Sequence, residues 1–209
     1  MLSNEGFDLW ANEYDKSVGL SDEDGTYPFA GYKAVLSEIY SDILSSKAKT
    51  VLDIGFGTGT LTSKLYEKGC CIFGQDFSEK MIQLAQAKMP DAMLYQGDFS
   101  KGLVEPLTKQ KYDAIVATYS LHHLTDEQKV EMIRDLRLLL NEEGGIYIGD
   151  VAFETREALQ NCRNEVGDGW DTDEIYLVYK ELKKEFPNMQ FEAKSYCAGV
   201  LILKNEGNE

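Results

Sequence analysis

The sequence has few cysteines, few prolines and no long apolar segment. It contains four cysteines without CxxC spacing, so neither a disulfide framework nor a cysteine-based metal site is expected. No apolar run approaches the roughly 20 residues that a membrane helix needs. The segment MLSNEGFDLWANEYD at the start lacks the basic and apolar regions of a secretory signal. These absences predict a reduced, cytoplasmic protein with no membrane partner.

Positive charge is also scarce. Lys and Arg total 21 against 36 Asp and Glu, which gives a formal net charge of −15, and no stretch concentrates the basic residues. Binding to DNA or structured RNA requires many local cationic contacts with phosphate groups. A nucleic acid is therefore not expected as a partner.

Apolar and helical patterns alternate along most of the chain. Hydrophobic residues make up 43% of the 209 residues, which is typical of one folded globular domain. Strands are predicted at residues 50–54, 70–75, 92–95, 113–118 and 145–150, with helical spacing between them. Strands that are apolar on both faces and are joined by helices predict a parallel sheet.

The end of the chain breaks this alternation. A helix predicted over residues 173–186 leads to two strands, 190–196 and 200–203, with only a few residues between them. That connection is too short for a crossover, so the two strands should form an antiparallel hairpin at one edge of the sheet. We expect residues 1–48 to form a helical lid or cap, residues 49–204 the main domain, and residues 205–209 a polar tail.

The strongest motif is VLDIGFGTGTL at residues 51–61, where an apolar strand meets a glycine-rich turn and a helix. Gly55, Gly57 and Gly59 permit a sharp turn and a close approach of the backbone to a ligand. Asp76 ends the next predicted strand, 21 residues after Gly55. A carboxylate there can accept hydrogen bonds from both ribose hydroxyls of a nucleoside. The structural alternatives are a tight turn without a ligand and a helix cap at Asp76.

The spacing departs from the dinucleotide fingerprint G-x-G-x-x-G/A. Its sixth position is here Thr60, and the third glycine falls at Gly59 instead. The pattern D-x-G-x-G-x-G that begins at Asp53 resembles motif I of the class I methyltransferases that use S-adenosylmethionine (SAM). Further segments that resemble this family follow in its order: Asp76, GDF at 97–99, YDAIVA at 112–117, and residues 138–148. The motif WAxxYD at residues 10–15 is similar to the opening of a small bacterial subgroup of these proteins.

The resemblance implies a three-layer, Rossmann-like α/β fold with a seven-stranded, mostly parallel sheet and one antiparallel edge strand. It implies SAM as the cofactor, with the glycines beneath its methionine part, Asp76 at the ribose and Asp98 at the adenine amino group. Asp53 would orient the turn or receive the cofactor's ammonium through water. The implied cofactor-binding set is Asp53, Gly55, Gly57, Gly59, Asp76, Asp98 and Phe99. Because Asp76 then has one task, we expect its loss to lower cofactor affinity and leave the unliganded protein's stability nearly unchanged.

A small molecule is the expected methyl acceptor, because the chain has no basic face and no separate recognition module. Two alternatives keep the fold: a non-catalytic SAM-binding regulator, and an enzyme of aminopropyl or NAD chemistry. The glycine spacing argues against NAD. The sequence leaves the oligomeric state open.

Both histidines, His122 and His123, follow the fourth predicted strand, where the acceptor is expected to enter. Methyl transfer from a sulfonium needs alignment, and it needs a base only when the nucleophile arrives protonated. Each histidine is therefore a candidate base or a structural residue that bonds the backbone. No metal is expected, since two adjacent histidines lack a clear third ligand.

Aromatic residues are frequent before the core, at Tyr14, Tyr27, Phe29 and Tyr32. They are predicted either to close over the positive sulfonium, with Tyr14 as a candidate catalytic residue, or to pack the leading helices onto the sheet. Trp170 lies in a predicted loop, where it would line the acceptor pocket or be buried structurally.

Overall fold

The structure is a computed structural model that describes residues 25–205. The strands are β1 (Thr50–Ile54), β2 (Cys71–Asp76), β3 (Met93–Gln96), β4 (Tyr112–Thr118), β5 (Leu140–Phe153), β6 (Leu177–Val178), β7 (Gln190–Ala193) and β8 (Ala198–Lys204). The α-helices are α1 (Tyr32–Ser45), α2 (Thr62–Glu67), α3 (Glu79–Lys88), α4 (Asp126–Arg137), α5 (Arg156–Val166) and α6 (Tyr179–Glu185). Short 3-10 helices cover Phe99–Lys101, Glu105–Lys109, Leu121–His123 and Gly167–Gly169.

Seven strands form the sheet in the order β3-β2-β1-β4-β5-β8-β7, and the short β6 pairs with the end of β5. Strands β1 to β5 are parallel to one another, whereas β8 runs antiparallel to both β5 and β7. The reversed strand is therefore the inner member of the terminal hairpin, and β7 is the outermost strand. This arrangement confirms the mostly parallel Rossmann-like sheet with an antiparallel hairpin at one edge.

Helices cover both faces of the sheet. Successive residues of a strand point to opposite faces, so Val51 of β1 belongs to one apolar core and Leu52 to the other. Helices α1, α2, α3 and α5 contribute buried residues to the first core, and α4 and α6 to the second. The result is the three-layer α/β architecture expected from the alternating pattern.

Helix α1 packs directly on the centre of the sheet. Its residues Val35, Ile39 and Ile43 are fully buried, as their shared helical face predicts. A Cβ added at Gly149 in β5 would lie 2.3 Å from Cγ1 of Val35, so the glycine is required for this close approach. The described part of the predicted N-terminal cap, residues 25–48, therefore shares the core of the main domain.

The prediction of a single helix over residues 173–186 is wrong. Residues 177–178 form β6, and the helix begins at Tyr179. Tyr176, Leu177 and Val178 are three consecutive buried residues, which an extended strand tolerates better than a surface helix. The Ile175 N–H donates to the carbonyl of His122 at 2.8 Å, so this extended segment lies against the histidines.

The helix predicted over residues 7–16 and most of the loop predicted over 19–26 lie outside the described residues. Within residues 25–205, no helix combines the length and the apolar character needed to cross a bilayer.

Candidate functional site

A cavity lies at the carboxyl ends of the parallel strands, which is the edge of the sheet where the sequence predicts the site. It is lined by residues at the ends of β2 and β4, by loop residues that follow β1, β2, β3 and β4, and by one residue each of α1 and α3. These residues are Tyr32, Gly55, Phe56, Gly57, Thr58, Thr60, Leu61, Asp76, Phe77, Met81, Asp98, Phe99, Ser100, Thr118, Tyr119, Ser120 and His123.

The three motif glycines are needed for different physical reasons, although all have positive φ. A Cβ at Gly55 would lie 2.5 Å from Cβ of Ser120, and one at Gly59 would lie 2.9 Å from Cε of Met89. A Cβ at Gly57 would meet no atom of residues 25–205 within 4 Å. Gly55 and Gly57 line the cavity, whereas Gly59 packs against α3 and is not part of the lining. Gly57 is thus the glycine over which a ligand can lie.

Asp76 lines the cavity and also holds the glycine loop in place. Its Oδ2 accepts a hydrogen bond from the Gly57 N–H at 2.8 Å, and its Oδ1 accepts one from the Ser78 N–H at 2.9 Å. Ser78 itself caps α3 by accepting from the Met81 N–H. Asp76 therefore links the glycine loop after β1 to the start of α3. The expectation that Asp76 has no structural task is wrong.

Asp98 and Phe99 follow β3 at the far end of the cavity. Oδ1 of Asp98 accepts hydrogen bonds from the N–H and the hydroxyl of Ser100, and Oδ2 lies 3.0 Å from Nζ of Lys101. Partial burial would raise the pKa of Asp98, but the bonds from Ser100 and Lys101 outweigh it and lower the pKa. The side chain is therefore a fixed anionic acceptor at the cavity wall.

Asp53 lies beneath the glycine turn and does not line the cavity. It is 1% exposed, and its Oδ1 has no hydrogen-bond partner within the described chain. Burial raises the pKa of Asp53 to about 7, the nearby Thr62 hydroxyl opposes the rise, and the charge of Asp76 adds to it. This position suits a residue that shapes the turn better than one that contacts the cofactor directly.

The two histidines occupy different environments. His123 lines the cavity, whereas His122 lies behind it. Burial and the neighbouring His122 lower the pKa of His123 to about 4. His123 is therefore neutral at neutral pH and adds no positive charge to the cavity wall.

His122 belongs to a buried polar cluster. Its Nδ1 lies 2.7 Å from Oδ1 of Asp150, and its Nε2 lies 3.4 Å from Oε1 of Glu174. Burial would lower the pKa of His122, but the two carboxylates outweigh it and raise the pKa. The Glu174 carboxylate also accepts a hydrogen bond from the Tyr176 hydroxyl at 2.7 Å.

The aromatic residues form two separate groups. Tyr32 and Tyr119 line the cavity with ring centroids 5.0 Å apart, and Phe29 packs beside both. Tyr27 instead stacks on Trp170 at 5.1 Å, and its hydroxyl bonds that of Tyr176. Neither Tyr27 nor Trp170 is part of the cavity lining. Tyr14 lies outside the described residues.

The sequence analysis did not identify three residues at the site, which are Tyr119, Asp150 and Glu174. Tyr119 has a left-handed backbone with φ of 49°, a conformation that is strained for a tyrosine and is often found at functional sites. Asp150 ends the predicted fifth strand next to the histidine loop, a position that could have identified it. Glu174 fell inside the wrongly predicted helix, so no local signal indicated its role.

The sequence predicts no metal site, because it shows no clear third ligand beside His122 and His123. The fold supplies one, since nitrogen atoms of His122 and His123 and an oxygen of Glu174 all lie within 4.8 Å of one another. That argument against a metal therefore does not hold for the folded chain.

The chain is similar to known methyltransferases in sequence and in fold. Residues 51–144 match the family model described as a methyltransferase domain. An uncharacterized methyltransferase of Alkaliphilus oremlandii is 35% identical over 183 residues, which cover 88% of this chain and 81% of the relative.

Two solved structures share the fold. A magnesium protoporphyrin IX methyltransferase of Synechocystis with bound SAH (S-adenosylhomocysteine) has a TM-score of 0.67 at 19% identity, over 85% of each chain. A SAM-dependent methyltransferase of Clostridium acetobutylicum has a TM-score of 0.69 at 15% identity, over 91% of this chain and 98% of that one. The family match, the relative and the glycine-loop architecture agree, and the chain belongs to the class I SAM-dependent methyltransferases, with SAM as its cofactor.

Proposed function

We propose that this methyltransferase transfers the methyl group of SAM to a small molecule that binds beside His123. The observation that carries the proposal is the composition of one cavity. Two acids suited to a nucleoside, Asp76 and Asp98, line it together with His123 and the tyrosine pair Tyr32 and Tyr119.

The cofactor would lie across the glycine loop. The Asp76 carboxylate would accept the ribose hydroxyls, and Asp98 would accept the adenine amino group beside the Phe99 ring. Gly57 would leave room for the chain that joins the ribose to the methionine part. This orientation directs the sulfonium toward the end of β4, where Tyr119 and His123 lie.

The acceptor would approach the methyl carbon from the His123 side. A lone pair on the acceptor attacks that carbon, the carbon–sulfur bond breaks, and its electron pair stays on sulfur to give neutral SAH. When the acceptor atom carries a proton, the neutral His123 imidazole is placed to receive it. The aromatic faces of Tyr32 and Tyr119 favour the positive sulfonium over neutral SAH.

A small acceptor is supported by the charge and by the site. With a net charge of −15, the chain repels polyanions at a distance. The similar Synechocystis structure is that of a methyltransferase named for a small molecule, magnesium protoporphyrin IX. We include neither a nucleic acid nor a membrane among the proposed partners, and we propose a cytoplasmic location.

Labelled SAM tests the proposal. The enzyme is incubated with methyl-labelled SAM and with separated small-molecule, RNA and protein fractions of a bacterial extract. We expect label in the small-molecule fraction and formation of SAH. Label in RNA or protein alone would contradict the small acceptor, and SAM binding without SAH formation in any fraction would favour the non-catalytic regulator.

A substitution at His123 separates binding from transfer. His123→Asn should keep the dissociation constant for SAM within about threefold and lower the rate of methyl transfer by roughly a hundredfold, as expected for loss of a general base.

A further inference from the structure

We propose that His122, His123 and Glu174 bind a divalent transition-metal ion of the zinc class at the acceptor end of the cavity. The residues come from the loop after β4 and from the extended segment before β6. His123 also lines the cavity, so the ion would lie at the boundary between the buried cluster and the acceptor space.

The spacing of the ligand atoms suits such an ion. Nε2 of His122 and Oε1 of Glu174 are 3.4 Å apart. In a tetrahedral zinc site with bonds near 2.0–2.1 Å, two ligand atoms are separated by about 3.4 Å. The ligand atom of His123 lies within 4.8 Å of both others, and it would have to move closer to them when the ion binds. Two histidines and one glutamate form a known catalytic zinc set, which leaves a fourth position open.

Two neighbouring groups orient these ligands. Oδ1 of Asp150 lies 2.7 Å from Nδ1 of His122 and also accepts the Val151 N–H at 2.8 Å. A carboxylate at Nδ1 favours the tautomer that leaves the Nε2 lone pair for a metal, an arrangement that is common around metal-bound histidines. The Tyr176 hydroxyl donates to Oε2 of Glu174 and leaves Oε1 facing His122. The contacts of Asp150 with His122 and of Tyr176 with Glu174 therefore hold two of the proposed ligands in place.

The local charge also favours a cation. Asp150 is fully buried, and its Oδ2 has no hydrogen-bond partner in the described part of the chain. The ammonium of Lys129, the nearest buried cation, bonds the Leu124 carbonyl at 2.8 Å and faces Asp126. Two carboxylates therefore face His122, and their charge can be compensated by a protonated His122 or by a bound metal ion.

The consequence for catalysis rests on the proposed function, whereas the metal binding itself does not. With its imidazole bound to the ion, His123 would no longer act as the base. An acceptor hydroxyl or thiol would occupy the open position, the ion would lower the pKa of that group, and its proton would pass to solvent. The resulting anion attacks the methyl carbon, and the electron pair of the broken carbon–sulfur bond remains on SAH. The acceptor class assigned by this site is a small molecule with a hydroxyl or thiol group.

Metal titration tests the site. The full chain is treated with a chelator, desalted, and titrated with Zn²⁺ by calorimetry and with Co²⁺ by visible absorption. The parent should bind one ion per chain, and Co²⁺ should give the absorption bands of a four- or five-coordinate site. Glu174→Gln and His122→Gln should each weaken binding by at least about tenfold, and Asp150→Asn by about 10- to 100-fold.

Glu127→Gln is the matched control, because it removes an exposed carboxylate of α4 and should leave metal binding unchanged. The stabilisation of each variant by SAH shows that it is folded and separates a failure of the metal site from a failure of the methyltransferase assignment. The proposal is overturned if the parent binds no ion at about 100 μM metal, or if Glu174→Gln and His122→Gln bind it as tightly as Glu127→Gln does.

Discussion

The Asp76 carboxylate accepts a hydrogen bond from the backbone N–H of Gly57, with 2.8 Å between the nitrogen and Oδ2. This bond joins the end of β2 to the glycine loop that follows β1. Because Oδ1 also accepts the Ser78 N–H, one side chain holds both walls of the proposed ribose site. The position of the loop and the proposed recognition of the cofactor therefore depend on the same residue.

Asp76→Ala should weaken SAM binding and destabilise the unliganded protein together. The loss of two charge-assisted hydrogen bonds at a buried side chain should cost roughly 2 to 4 kcal/mol of unfolding free energy. SAM affinity should fall by about ten- to several-hundredfold, because the ribose hydroxyls lose their acceptor. Denaturant unfolding and calorimetric titration measure the two effects separately.

Asp113→Ala is the matched control for this substitution. Asp113 accepts the backbone N–H groups of Lys49 and Thr50 at 2.7 and 2.9 Å, at the opposite end of the sheet. Its loss should lower stability and leave SAM affinity unchanged. Equal losses of affinity in both variants would show that Asp76 acts only through the fold.

Gly57→Val should abolish detectable SAM binding and leave most of the fold. The Cβ of the added side chain meets no atom of the described residues within 4 Å, and the side chain would extend into the cavity. The left-handed backbone adds roughly 1–2 kcal/mol of strain. Gly69→Val carries the same kind of strain, with a φ of 88° and open space at its Cβ, but it lies away from the cavity. Gly69→Val should lose a similar amount of stability and bind SAM normally. If Gly57→Val binds SAM as tightly as the parent does, the proposed path of the cofactor is wrong.

Asp53→Asn should stabilise the unliganded protein at high pH. Burial raises the pKa of Asp53 to about 7 in the folded protein. As the pH rises from about 4, the Asp53 carboxyl therefore ionises in the unfolded chain before it ionises in the folded one. The folded state then loses relative stability up to about pH 7, and the loss is complete above it. The variant avoids this loss, so its advantage should grow from pH 5.5 to 8.5 and reach the order of 4 kcal/mol. Unfolding by denaturant across this pH range measures it, and a constant difference between variant and parent would exclude the raised pKa.

Tyr32→Leu should weaken the binding of SAM more than that of SAH. Only SAM carries the sulfonium charge, and contact with an aromatic face is worth about 0.5–2 kcal/mol, so the ratio of the two dissociation constants should change by about two- to thirtyfold. Tyr40→Leu, in the same helix but not part of the cavity lining, is the control. Equal losses for SAM and SAH would show that Tyr32 only packs against the cofactor.

The local sequence predicted the sheet and its glycine turn because both depend on short-range patterns. Apolar strands separated by helical spacing predict a parallel sheet wherever they occur, and the short connection before β8 excludes a crossover. The motif from Asp53 to Gly59 predicts a close approach of the backbone to a ligand, since glycine alone leaves that space open. Sequence could not show that Gly59 packs on α3 while Gly57 faces the cavity, because their local patterns are alike.

Tertiary structure decided which polar groups meet. Glu174 lies beside His122 because residues 177–178 pair with β5. That strand pairing buries consecutive apolar residues, and a local helical spacing does not predict it. Asp150 and His122 are 28 residues apart in sequence and 2.7 Å apart in space. The sequence by itself determined the fold class and the glycine loop. The different environments of His122 and His123 were decided by the packing of distant segments, which no local pattern encodes.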